Sequence, residues 1–131
     1  MIKIVIDGEL TTLNTYTNSN RNNRYGGGAL KKRETDRCAK AILQYLRDNP
    51  QDGELFPATI KIDWYRKNKR SDKDNIAFAK KFILDGFMKA GLLDNDNWEN
   101  IHSFEDHFYV DKENPRIEIM LIADWFLLFF T

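Results

Sequence analysis

Ile2, Ile4 and Ile6 alternate with Lys3 and Val5, the period-two pattern of a half-buried strand over residues 2–7. Residues 10–33 contain no acidic side chain. Asn, Thr and Ser crowd their first half, three glycines (Gly26–Gly28) follow, and the segment reads as a mobile basic loop. Ala39, Ile42, Leu43 and Leu46 then recur at helical spacing, predicting a helix over about 34–48. Ile60, Ile62 and Trp64 alternate in a second strand, about 57–66. Ile76, Ala79, Ile83, Phe87 and Ala90 share one face of a long helix from about 74 to 90, with Gly91 at its C-terminal stop. Residues 101–110 and 116–123 alternate again, and DKENPR between them reads as a hairpin turn. The order β-α-β-α-β-β implies a single α+β domain over 1–131, a small mixed sheet with helices packed on it.

The last segment, DWFLLFFT (124–131), is an apolar tail that calls for cover by the sheet or by a second subunit. Asp124 interrupts the apolar run that contains it, which falls short of the roughly 20 residues of a spanning helix, so no membrane is implied. The N-terminus lacks the pattern of a signal peptide. The single cysteine, Cys38, excludes an internal disulfide and suits a reducing cytoplasm, and no Cys/His cluster suggests zinc. His102 and His107 lack ligand spacing. Trp64 and Trp98 read as core, and Tyr25 as an anchor for the loop.

Net charge is zero, but it is unevenly spread. Residues 20–89 carry 17 Lys/Arg against 9 Asp/Glu, and the compensating negative charge lies mostly between Asp94 and Glu118. Asymmetry of this kind fits a nucleic-acid-binding face as well as it fits ordinary solvated surfaces. Within the basic half, KRSDKDNIAF (69–78) sets Asp72 and Asp74 one residue apart at a helix entrance. One aspartate there is ordinarily an N-cap; only one residue can be the N-cap, and a close pair can converge on a hard cation such as Mg²⁺. A second acidic knot, GLLDNDNWENI (91–101), follows the helix. It opens like an EF-hand loop but has Glu99 where that loop requires glycine, which leaves an Asx-rich turn.

The stretch RSDKDNIAFAKKFILDGFMKAGLLDNDNWENI resembles the centre of the RusA family of Holliday-junction resolvases. The features that match are DxDN at a helix entrance, basic residues in that helix, Asp85, Ala90 and Gly91 at its end, and an acidic turn after it. The Asn/Arg-rich segment before the first helix and the C-terminal strand pair extend the similarity over nearly the whole chain. The resemblance implies a homodimeric, Mg²⁺-dependent endonuclease, with Mn²⁺ as a substitute, that nicks four-way DNA junctions symmetrically with three aspartates and a helical lysine. By position these are Asp72, Asp74 and Asp96, with Asp94 as the competitor for the third. The family's lysine lies one turn after the second aspartate, where this chain has Phe78. Counting back from Asp85 reaches Lys81, seven residues from Asp74 and on the same stripe of an unbroken helix; its alternative role is an i,i+4 pair with Asp85.

Arg21, Arg24, Lys31, Lys32 and Arg33 on the loop, with Lys67, Lys69, Arg70 and Lys73 around the aspartates, are the expected phosphate contacts. The alternatives are a nuclease acting on flaps or forks, and a non-catalytic DNA-binding phage protein whose acidic residues only cap and turn.

Overall fold

The computed structural model describes residues 2–22 and 25–123. In chain order its elements are β1 (Ile2–Asp7), α1 (Leu13–Asn22), α2 (Gly26–Asp48), β2 (Ala58–Arg66), α3 (Lys73–Ala77), α4 (Lys80–Lys89), β3 (Ile101–Val110) and β4 (Arg116–Ala123). One four-stranded sheet has the order β1-β4-β2-β3. β4 pairs antiparallel with both β1 and β2, while β2 and β3 run parallel, so the sheet is mixed, as the α+β pattern implies.

The alternation read from the sequence sets the two faces of the sheet. Ile2, Ile4, Ile6, Ile60, Ile62, Trp64, Ile117, Ile119 and Leu121 are buried, and they meet Cys38 and Ile42 of α2 and Phe82, Ile83 and Phe87 of α4 in one core. The helices approach closely. A Cβ on Gly86 would fall 2.7 Å from Cys38 Cβ and 3.1 Å from the Ala39 amide nitrogen, so α4 needs a glycine there to lie against α2. The other face carries a ladder of charges in which Lys3 reaches Glu118 (2.8 Å), Arg116 reaches Glu118 (2.7 Å) and Asp111 (2.9 Å), and Arg116 lies over the Tyr65 ring. Burial pushes the Glu118 carboxyl up, but hydrogen bonds from Lys3 and Arg116 outweigh it and hold that group below the usual carboxylate range.

Three expectations change. Most of the segment 10–33 is helical instead of loop: Leu13–Asn22 forms α1 and residues 26–33 the first turns of α2, which begins eight residues before the predicted start. Asn, Ser, Thr and Gly are weak helix formers, and tertiary contacts override them here. Thr12 Oγ1 accepts from the Thr15 amide at the head of α1, and the Tyr16 ring packs 5.4 Å from Phe78 and 6.2 Å from Phe82. The buried Gly27 lets α2 pass against Asn20 of α1. Glu34, also buried, accepts from the Thr11 amide (2.8 Å) and hydroxyl (3.0 Å), pinning the chain that enters α1.

Second, the long helix is two. The backbone tightens to i→i+3 bonds at Ala79–Ile76, Lys81–Phe78 and Phe82–Ala79, which separates α3 from α4. Third, β3 and β4 are not a hairpin. β2 lies between them, and residues 111–115 step over its end, with the Asp111 amide donating to the Arg66 carbonyl (2.8 Å). Trp64 is core as expected, but Trp98 is 98% exposed. Arg24 and the apolar tail 124–131 lie outside the described residues. No helix among the described residues is long and apolar enough to cross a membrane.

Gly86→Ala should cost about 1–3 kcal/mol of stability in a thermal or urea melt, because the added methyl drives α4 off α2. Burial pushes the Cys38 thiol up to about 12. The native chain should therefore resist alkylation at neutral pH and react fully once unfolded, as read by mass spectrometry.

Candidate metal and nucleic-acid site

β2 ends at Arg66, and the chain turns through residues 67–72 before entering α3. Glu9 fixes the start of that turn, accepting from the Lys67 amide (2.8 Å) and lying 3.4 Å from Arg66 Nε. Within it the Arg70 amide donates to Asn68 Oδ1 (3.0 Å), an Asx turn. Asp72 is then the N-cap residue of α3, with extended backbone (φ −69°, ψ 155°), and Asp74 stands in the first helical turn.

The position is that of a cap, but Asp72 makes no side-chain capping hydrogen bond. Among the described residues, neither Asp72 nor Asp74 has a side-chain hydrogen bond or ion pair, and both are exposed. The two carboxylates open onto a cleft of about 560 Å³ bounded by Arg66, Lys69 and Lys73 on one side and Phe108, Tyr109 and Val110 at the end of β3 on the other. Lys73 Nζ lies 5.8 Å over the Phe108 ring instead of bonding either aspartate. Neighbouring cations partly offset the repulsion between the carboxylates, and the pair keeps its oxygens available.

The remaining predicted site residues fall elsewhere. Lys81 lies 4.0 Å from Asp85, the i,i+4 pairing, and does not line the cleft. The break between α3 and α4 ends the stripe that would have aligned it with Asp74. Lys31 also faces Asp85 (3.8 Å), and Lys32 bonds Asp36 (2.7 Å), so these two are engaged within the chain. Arg21, in the last turn of α1, and Arg33, on α2, are exposed. Lys67, Lys69, Arg70 and Lys73 are exposed around the aspartate pair.

Asp96 does not join Asp72 and Asp74 within one chain. The aspartate pair lies beyond the C-terminal end of β2. Asp94 and Asp96 lie just before β3, whose first residue pairs with Ala58, the first residue of β2. The nine residues of β2 separate the two ends by about 26 Å, at roughly 3.3 Å per residue. Asp94 lines a different cleft, with Gly53, Leu55 and Gly91. Among the described residues, no group of three or more His, Cys, Asp or Glu side chains is placed to hold a metal ion.

One polar cluster escaped the sequence reading. Asp106, on β3, accepts from Trp64 Nε1 (2.9 Å) and Lys80 Nζ (2.6 Å), and Lys80 lies 4.4 Å over Phe104. The alternation of β3 places Asp106 on the helix side of the sheet, but its partners are not readable from spacing. No family model matches this chain, and no curated protein matches it.

Replacing Asp72 with Ala should change stability by less than about 0.5 kcal/mol, against the typical ~1 kcal/mol for loss of a working N-cap. Thermal denaturation measures it. A cost of a full cap would mean that Asp72 serves the helix.

Proposed function

We propose that the chain is a Mg²⁺-dependent endodeoxyribonuclease acting on four-way DNA junctions. The observation that carries the reading is the unpartnered pair Asp72 and Asp74 at the mouth of a cleft rimmed by Arg66, Lys69 and Lys73. Among the described residues, the pair neither caps the helix nor joins a salt bridge, so its oxygens are open to a ligand. Its donor set suits a hard cation that takes one or two carboxylates and completes its shell with water. Asp72 and Asp74 would hold that ion. Once bound, a divalent cation supplies charge against the phosphate and a water of lowered pKa.

The surrounding residues fit the same substrate. Lys67, Lys69, Arg70 and Lys73 offer several phosphate contacts within a short span, and they lie where a duplex backbone can reach the aspartates. The resemblance to RusA-type resolvases narrows the substrate from DNA to branched DNA, and paired symmetric nicks call for two chains related by a two-fold axis. A third carboxylate at Asp96 also calls for two chains, since one chain holds it at the far end of the sheet. The single, buried Cys38 is in keeping with work in a reducing cytoplasm.

The test is cleavage of a synthetic four-way junction with Mg²⁺, compared with a linear duplex and with a flap of the same sequence. Asp74→Asn should reduce turnover by about 100-fold or more while the melting curve holds and junction affinity is not lost, because the carboxylate has no partner among the described residues and its removal takes away negative charge. Turnover unchanged in that variant removes the catalytic role. Binding without cleavage by the wild-type chain favours the non-catalytic reading, and equal cleavage of flap and junction favours a broader nuclease. Lys69→Ala with Lys73→Ala should flatten the salt dependence of junction binding by about two counterions.

A further inference from the structure

The crossover between β2 and β3 lays two lysines on the helix-facing row of β3, and each meets an aromatic ring. Lys80 Nζ stands 4.4 Å over the Phe104 ring and bonds Asp106 Oδ2 at 2.6 Å, so its charge is matched by a carboxylate. Lys73 Nζ stands 5.8 Å over the Phe108 ring, and among the described residues its ammonium makes no hydrogen bond or ion pair. That ring has a fixed place. Phe108 packs at the margin of the core and lies nearly parallel to the Trp64 indole, with 10° between planes and 6.4 Å between centroids. Trp64 is itself buried, and its Nε1 donates to Asp106 Oδ1 at 2.9 Å, on the carboxylate that Lys80 holds. A chain of contacts thus runs from Lys80 through Asp106, Trp64 and Phe108 to Lys73, the residue between Asp72 and Asp74.

We propose that Phe108 is a positioning residue for the aspartate pair: its ring, locked against Trp64, holds the Lys73 ammonium at the far wall of the cleft and so keeps both carboxylates open to a divalent cation. Lys73 is the competitor for that place nearest in sequence. Its flexible stem ends in an ammonium, which on settling between the carboxylates would cancel the charge that seats an ion. The balance is close enough for one ring to decide it. An exposed lysine–carboxylate pair is weak, and adjacent residues on a helix do not face each other. A cation over a fixed aromatic face is attracted about as strongly. At the far wall the ammonium also stands where a phosphate crossing the cleft would meet it. The position of Lys73 rests on this geometry alone; its consequence for the cation rests on reading Asp72 and Asp74 as a metal site.

Two measurements on the full chain, neither needing DNA or turnover, test it. By nuclear magnetic resonance the ε-methylene protons of Lys73, assigned by their loss in Lys73→Gln, should lie upfield of those of the exposed Lys69, because a ring face shields what stands over it. In Phe108→Leu that displacement should vanish. Titration with Mn²⁺ alone, followed by electron paramagnetic resonance, should show about threefold weaker binding in Phe108→Leu and wild-type affinity in Phe108→Tyr, which keeps the ring. In a Lys73→Gln background Phe108→Leu should have no effect, since the competing ammonium is gone. An equal loss in both backgrounds means that the ring only supports the fold and overturns the positioning role. Mn²⁺ affinity unchanged in Phe108→Leu overturns that role and leaves the metal reading standing. If Phe108→Leu fails to fold by circular dichroism, the wild-type Lys73 protons decide: upfield they sustain the role, and level with those of Lys69 they overturn it. A wild type that holds Lys73 over the ring but binds no Mn²⁺ ends the metal reading, and the positioning role falls with it.

Discussion

Because β2 and β3 run parallel, the chain between them has to travel the length of the sheet and return across its face. That crossover is α3 and α4, and its two ends are where the charged clusters sit. It leaves β2 through the basic turn and the aspartate pair, and it re-enters β3 through the acidic turn. A hairpin between those strands would have put both turns at one end and allowed a single chain to gather three carboxylates. The parallel arrangement separates them by the length of a strand, so any site that uses both ends belongs to two chains.

Packing of the crossover depends on small residues and aromatic rings. Gly86 lets α4 lie on α2 at Cys38, and Phe78 and Phe82 give α1 a place to dock through Tyr16. The tight turn between α3 and α4 follows from the same contacts, with Ala79 buried at the bend. It uncouples the direction of α3 from that of α4. The aspartate pair can thus face the cleft while Lys80 and Lys81 turn to Asp106 and Asp85.

The strands were legible in the sequence because alternation of Ile2, Ile4 and Ile6, or of Ile60, Ile62 and Trp64, reports burial directly. Strand order was not, because DKENPR reads equally well as a hairpin turn and as a step over the end of β2; only the pairing of Arg116 with Tyr65 and Asp7 distinguishes them. α1 was hidden by composition: its ten residues bury none of their side chains fully, and its contacts come through Tyr16. Asp72 and Asp74 stood out by spacing, yet whether they capped a helix was a question of hydrogen bonds. Trp98 looked like core because large aromatics usually are, and its full exposure depends on which edge of the sheet is open.

The formal neutrality of the chain takes on meaning once these placements are known. Glu9 matches Arg66, and Lys67, Lys69, Arg70 and Lys73 stand around Asp72 and Asp74 with an excess of two positive charges, while Asp94, Asp96 and Glu99 lie at the opposite end of β2. The neutral sum of the chain thus hides two poles, one at each end of that strand. A divalent cation seated on the two carboxylates would add two charges to the positive pole. Neutralising one aspartate raises the same local charge by one without providing the ion. Under the proposed function, affinity for DNA and competence to cut it would therefore separate: the first would follow the sum of charges in the cleft, and the second the carboxylates that seat the cation.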